Sequence, residues 1–336
     1  MAQIRALLGI LIALCACGTG QAASLFGDQA VLDVTLTGPL SLVAKEARKR
    51  PEHPFELEVA GQTVKVDVRM RGKSRVKFCG FPPLRLNFAP DSAAESVFAG
   101  QDKLKLVTHC NGGAESEQNV LEELMAYRLL SVLTDFSYRT RLLRVRYVDT
   151  DTPNREAVTR FGFVIESDEA FATRIDGEPL LVRDVTRAML EPAHAALVYV
   201  FQYLIGNTDW SLVRYYDDDF CCHNGKLFTV TARNYYVPYD FDMSGLVSAR
   251  YAKPQPKLRL RSVRVRRYRG YCTDHFVLRE ALRAVAAQAD DLLRVAAELP
   301  GLSTKNRQKQ TRYLDDFFAA ARNEDKLLKE FERRCL

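Results

Sequence analysis

The residue periodicity of this chain changes once, near Asp168, and that change limits the folds open to it. Before it, Val31–Thr37, Thr63–Arg69, Leu84–Phe88 and Lys103–Val107 alternate apolar with polar residues, and Leu142–Val148 and Phe161–Glu166 read as further strands. Pro51–Pro54 reads as a loop between the first two. One segment in this half has helical spacing, Asn119–Leu133, through Val120, Leu121, Leu124, Ala126, Leu129 and Leu130. After the switch at Ser167–Phe171 the texture is helical. Arg187–Gly206 is a long apolar helical pattern ending on a glycine stop, and His275–Cys335 is helical with a break at Pro300-Gly301. Between them, Phe228–Val230 and Tyr235–Val237 read as a short hairpin. The expectation is an α+β protein with a β-rich unit over 24–167 and an α-rich unit over 168–336. A chain of 336 residues can bury a sizeable core in that form.

Residues 1–23 are expected to stand outside the fold. Arg5 precedes the apolar run Ala6–Cys17, and the small residues of GTGQAAS follow, which is the pattern of an export signal cleaved near Ala22 or Ala23. The run is too short to span a membrane as a helix. Leu14–Gly18 also loosely fits a lipid-attachment box with Cys17 acylated, and only that variant predicts membrane association. Either reading places the mature protein in the periplasm or outside the cell. Six cysteines remain, at 79, 110, 221, 222, 272 and 335, without metal-ligand spacing. In an oxidising compartment Cys79 and Cys110, which flank neighbouring strands, are expected to pair, and Cys272 with Cys335. Adjacent cysteines rarely bond to each other, so another partner is expected for Cys221 or Cys222; buried free thiols are the alternative. The net charge of +6 is modest, so no nucleic-acid partner is expected.

Three short motifs carry chemistry. They are GNTDW (Gly206–Trp210), His223-Asn224 and PYDFD (Pro238–Asp242). An Asp on a turn, an Asn soon after and a second Asp after an apolar run form a set suited to phosphoryl transfer. One carboxylate orients the attacking hydroxyl, while the Asn and the other carboxylate hold the magnesium that neutralises nucleotide phosphates. Taken singly, each is as readily a turn or cap residue.

Together with VRMRGKSR (Val68–Arg75), KLKLVTHC, NVLEELMAYRLL and RFGFVIESDEAF (Arg160–Phe171), these motifs resemble the CotH kinase family, the atypical protein-kinase-like proteins related to spore coat protein CotH. The resemblance covers most of the chain beyond the signal. It implies a two-lobed protein-kinase-like fold, a β-rich lobe with one main helix followed by an α-rich lobe. It also implies an ATP-dependent phosphotransferase using Mg2+ or Mn2+. Carried over, Asp209 is the catalytic aspartate and Asp240 the metal-binding one. The family's Asn stands a few residues after the Asp, where this chain has Arg214; Asn224 is the candidate metal ligand after the insertion Asp217–Asp219. The phosphates need a cation, held by a helix Glu: Arg85 or Lys105, with Glu123 or Glu122. No lysine stands near Pro82–Leu84, where the family's usual one falls, and Arg71-Gly72-Lys73-Ser74 is the nearest phosphate-loop candidate. Lys257–Gly270 holds seven Lys/Arg and no acid, and its alternation suggests a strand. It is either a dock for an anionic protein or glycan acceptor or a charged, solvated edge. A non-catalytic envelope-assembly protein and nucleotidyl transfer remain alternatives to phosphoryl transfer.

Overall fold

The computed structural model describes residues 24–72, 75–81, 83–152, 154–213 and 220–336. The expected signal with Cys17, Lys73-Ser74 of the phosphate-loop candidate, Pro82, Arg214 and the Asp217–Asp219 insertion lie outside the described residues.

Seven strands form the first half: β1 (Leu32–Gly38), β2 (His53–Val59), β3 (Gln62–Met70), β4 (Leu84–Phe88), β5 (Lys103–Val107), β6 (Thr140–Asp149) and β7 (Val158–Ile165). Alternation puts Val34, Leu36, Leu57, Val66, Leu104 and Val145 inside, all at most 4% exposed. The strands close into a barrel in the order β1-β2-β3-β4-β5-β7-β6. Closure comes from the single parallel pairing, β1 with β6, in register from Leu32↔Leu143 to Gly38↔Asp149. The expected two-lobed kinase-like fold is therefore corrected. Its β-rich part is a closed mixed barrel, because the first strand pairs with the sixth and leaves no open sheet. β2 occupies part of what read as a Pro51–Pro54 loop; Phe55, Leu57 and Val59 supply the alternation that outweighs Pro54. A short helix, α1 (Leu40–Lys45), follows β1.

The helix α2 (Ala114–Leu133) packs outside the barrel, and its buried leucines belong to the core of the second half rather than the barrel interior. That half contains α3 (Asp168–Arg174), β8 (Glu178–Leu180), α4 (Pro192–Leu204), β9 (Gly225–Val230), β10 (Arg233–Pro238), α5 (His275–Ala287), α6 (Ala289–Glu298), α7 (Thr304–Ala321) and α8 (Glu324–Glu332). The hairpin β9–β10 gains a third strand, giving the order β10-β9-β8. The long helical pattern from Arg187 becomes a 3-10 turn and then α4, which starts at Pro192 with Glu191 capping the His194 N–H. α4 stops at Gly206, whose φ of 63° suits glycine; a Cβ there would also lie 2.0 Å from the Tyr313 hydroxyl.

Three cysteine pairs lie at bonding distance: Cys79–Cys110, Cys272–Cys335 and Cys221–Cys222. The first two match the expected pairing. The third corrects the expectation that one of the neighbours would look elsewhere. Cys79–Cys110 ties the segment before β4 to the loop after β5, a closure worth roughly 3–4 kcal/mol on the chain-entropy account. Among the described residues no helix is long and apolar enough to cross a membrane.

His109 follows β5 at one end of the barrel and is 6% exposed. Burial, with help from Arg160, pushes its imidazole down to about 4 from the ordinary 6.5. Its folded value lies below its unfolded one, so the stability it contributes is present above pH 6.5 and lost as pH falls toward 4. The loss is about 3 kcal/mol by proton linkage. In urea unfolding followed from pH 7 to 4, His109→Phe should flatten the decline by that amount; an unchanged slope would assign the decline to other groups.

Candidate active site

The GNTDW turn leaves α4 and is fixed from several sides. Asn207 Oδ1 accepts the Asp209 N–H at 2.9 Å, and the Trp210 indole, 1% exposed, donates to the Asn207 carbonyl at 3.1 Å. Gly245 and Leu246, just past PYDFD, donate backbone N–H bonds to Gly206 and Ile205. The end of α4 and the second motif are thus held together by main chain. Arginines of the basic stretch complete the clamp. Arg266 donates to the carbonyls of Leu204 and Tyr313 and lies 3.9 Å over the Tyr313 ring, Arg269 donates to Thr208 O, and Arg264 to Gly245 O. Capping carbonyls at a helix C-terminus with guanidinium is favourable on dipole grounds as well. Lys257–Gly270 is therefore not the expected strand. It opens with a 3-10 turn, Pro256–Leu258, and runs on irregularly, with Arg264, Arg266 and Arg269 turned inward to backbone oxygens.

The long interval between Asp209 and Asn224 is closed by a two-residue antiparallel bridge. Ser211 and His223 exchange backbone hydrogen bonds, both at 3.2 Å. This returns Asn224 to the motif Asp. Its Nδ2 donates to Asp209 O at 2.6 Å and to Asp209 Oδ2 at 3.0 Å, while His223 Nε2 lies 3.2 Å from Asp209 Oδ1. Burial pushes the Asp209 carboxyl up, but the bonds from His223 and Asn224 outweigh it and hold it below its ordinary value. The Asn224 Oδ1 has no hydrogen bond among the described residues. Asn224 and Asp240 both sit in left-handed backbone, φ 53° and 61°, which non-glycine residues adopt at a cost of order 1–3 kcal/mol, frequently at functional sites.

Asp240 follows β10, with its N–H bonded to Tyr127 Oη of α2 at 2.9 Å. Its side chain keeps 46% exposure at the edge of a recess between barrel and helices. Behind it lies a buried cation. Arg75, on the 3-10 turn Arg75–Lys77, places Nη2 2.7 Å from Glu123 Oε2 and Nε 2.9 Å from Asp242 Oδ2, with Asp240 at 4.0 Å. Tyr251 Oη also donates to Asp242 at 3.0 Å. Burial would pull the Arg75 guanidinium down, but Asp242 and Glu123 outweigh it and keep it charged. Three carboxylates share that one buried guanidinium, so the remaining negative charge raises the others. Glu123 is pushed up by burial and then by Asp242 and Asp240; Asp240, half-open to solvent, is pushed up by the desolvation of its inner side and by Asp242.

Of the expected phosphate cations, Lys105 lines the recess. Its Nζ is 3.5 Å from Asp168 and 5.4 Å from the Tyr239 ring centre. Arg85, its cross-strand neighbour on β4, does not line it. Glu123 meets a cation as expected, but the cation is Arg75, a residue quoted within RGKSR and given no role by the sequence. Glu122 is buried as well, on the far side of α2, against Gln310 and Asn119. Arg71 lines the recess, feels Asp240 most strongly among the charges around it, and has no side-chain hydrogen bond among the described residues.

Among the described residues no cluster of three or more His, Cys, Asp or Glu has metal-ligand geometry. Magnesium needs none: it commonly takes one or two carboxylates and fills its remaining positions with water and substrate phosphate. The surplus carboxylate charge at Asp240 and the uncommitted Asn224 Oδ1 fit such an ion. A scan against protein-family models and a search of curated proteins returned no match.

Proposed function

We propose that the chain is an exported phosphotransferase of the CotH kind, moving a phosphoryl group from a magnesium nucleotide to a hydroxyl acceptor. The observation that carries the reading is the return of Asn224 to Asp209, beside Asp240 and the Arg75–Glu123 pair. Asp209, held ionised, accepts the acceptor hydroxyl's hydrogen bond and aligns its oxygen. Asp240 and Asn224 would hold Mg2+ or Mn2+, which supplies charge neutralisation on the phosphates. Arg71 and Lys105 steady phosphate oxygens, and Arg75 fixes Glu123 and Asp242 so that Asp240 keeps its position. Most of the rate gain in such a site is positioning and electrostatics. Export is supported by the three disulfides and the N-terminal pattern.

The acceptor is proposed to be anionic. Tyr251 binds Asp242, and the chain leaving it carries the exposed cations Lys253, Lys257, Arg259 and Arg261. These four remain available for docking, whereas Arg264, Arg266 and Arg269 are occupied by backbone. Purified mature protein should melt at a higher temperature with Mg–ATP, since a ligand of the native state stabilises it. Intact mass of an acidic acceptor panel should show added phosphate. No melting shift would overturn nucleotide use, and added nucleoside monophosphate would replace phosphoryl transfer with nucleotidyl transfer.

A further inference from the structure

Beside the buried Arg75 cluster stands an exposed aromatic residue that nothing in the phosphoryl-transfer reading uses. Phe78 directly follows the 3-10 turn that carries Arg75 and remains 45% exposed. Its ring lies against Tyr251 at 4.9 Å between centroids, and the Arg75 guanidinium is 5.9 Å from the centre of the same Tyr251 ring. Tyr251 Oη in turn donates to Asp242. The next residue along, Cys79, is tied to Cys110. Phe78 is therefore held in place at the surface. A fixed, exposed aromatic ring costs little ordering on association, and aromatic residues are enriched where proteins bind one another.

From that ledge the chain runs to the motif aspartate. Tyr251 stands at Asp242, and Gln255 stands beside Asp209. Against burial, His223, Gln255 and Asn224 together hold the Asp209 carboxyl below its ordinary value, although Gln255 Nε2 makes no full hydrogen bond. Residues 252–255 have no regular structure. Four steps of at most about 3.6 Å put Tyr251 and Gln255 no more than about 14 Å apart between Cα atoms. Charge along this path has one sign. No Asp or Glu occurs between Asp242 and Asp274. Lys77, next to Phe78, and Lys253, between the two anchor points, are both exposed, whereas Arg250 is already paired with Glu115.

We propose that this ledge docks the acceptor as an acidic polypeptide segment, which lays a bulky apolar side chain on Phe78 and presents a Ser or Thr to Asp209. The proposal rests on the phosphotransferase reading of the site and names the class of its acceptor. Reach sets the spacing: an extended segment rising about 3.3 Å per residue covers the span in about three to five residues, so the apolar side chain and the hydroxyl are that far apart in the acceptor sequence. Carboxylates in the intervening and flanking positions meet Lys77 and Lys253. A glycan has hydroxyls but no apolar side chain to set on Phe78 at a fixed distance from one of them. A bilayer surface asks for a broad apolar face, and Phe78 is a single ring among cations.

The test is fluorescence anisotropy on the oxidised, full mature protein, with labelled peptides that carry one serine among Asp and Ala residues. One set has Phe at the third, fourth or fifth position from the serine, on either side. A matched set has Ala there, and a third set has Phe directly next to the serine. The best-spaced Phe peptide should bind about tenfold tighter than its Ala match, a difference of about 1.4 kcal/mol. Phe78→Ala, at an exposed position, should erase that difference and leave the Ala peptides unchanged. Lys77→Gln with Lys253→Gln should weaken every peptide and flatten the dependence of binding on salt. No peptide binding, a Phe advantage that survives Phe78→Ala, or an advantage indifferent to spacing would each overturn the proposal. The assay contains no nucleotide, so it is independent of the melting shift with Mg–ATP. Peptide docking without that shift would keep the dock and remove the nucleotide donor, and the shift without peptide docking would remove the dock alone.

Discussion

Asp209→Ala is expected to slow transfer by roughly 10²–10⁴-fold while leaving Mg–nucleotide affinity nearly unchanged. Asp240→Ala is expected to do the reverse at the binding step and lose metal-dependent nucleotide affinity. The separation follows from geometry. Asp209 is held by His223 and Asn224, whereas Asp240 lies 4.0 Å from the Arg75 guanidinium and stands at the recess with the surplus charge. Because Asp209 also receives hydrogen bonds that Ala would leave unpaired, Asp209→Asn is the companion variant. It keeps the shape and removes the charge. Calorimetric titration of Mg–ATP into each variant, beside single-turnover rates, gives both numbers. Undiminished binding by Asp240→Ala would remove it as a metal ligand, and full activity of Asp209→Asn would remove Asp209 from the chemistry.

The second large effect is expected at Arg75. Its guanidinium is buried between Glu123 and Asp242, each 6% exposed or less. Arg75→Met should cost about 3–5 kcal/mol of stability, the usual result of leaving buried charge uncompensated. Glu123→Gln in the same chain should recover part of it, since one surplus charge is then gone. Added Mg2+ should stabilise Arg75→Met more than wild type, because the ion is the remaining source of positive charge near Asp240. Urea midpoints with and without Mg2+ measure all three. A loss under about 1 kcal/mol would place the pair in the class of solvent-screened bridges and remove its positioning role.

Local structure was largely legible in the sequence. Leu84–Phe88 and Lys103–Val107 form strands with the bounds their alternation implies, and the helix at Asn119–Leu133 forms with five residues added at its start. Barrel closure was not legible, because alternation states which face of a strand is buried and says nothing of its neighbour. The pairing of Leu32–Gly38 with Leu143–Asp149 spans over a hundred residues and has no local signal. At the site, the motif aspartates and Asn224 could be named from their chemistry. Arg75 could not, because its turn carries only the generic mark of a basic loop. Arg264, Arg266 and Arg269 were hidden for a related reason: charge in a sequence reads as surface, whereas guanidinium can also serve as an inward cap for carbonyls.

The parallel pairing of β1 with β6 also sets a timetable. A chain emerging from its N-terminus, from a ribosome or across a membrane, presents Leu32–Gly38 first, but that strand has only β2 to pair with until Asp149 has appeared. Until then its other edge stands open, and the interior row of valines and leucines has no far wall. The ring can shut only after β6 arrives, and β7, which joins β5 to β6, completes it at Ile165. Half the molecule must therefore be delivered before its first strand is fully covered. Long-range closure of this sort slows folding, and open edges invite association with other chains. For this protein the hazardous interval lies during arrival, while the free edge of β1 waits for β6.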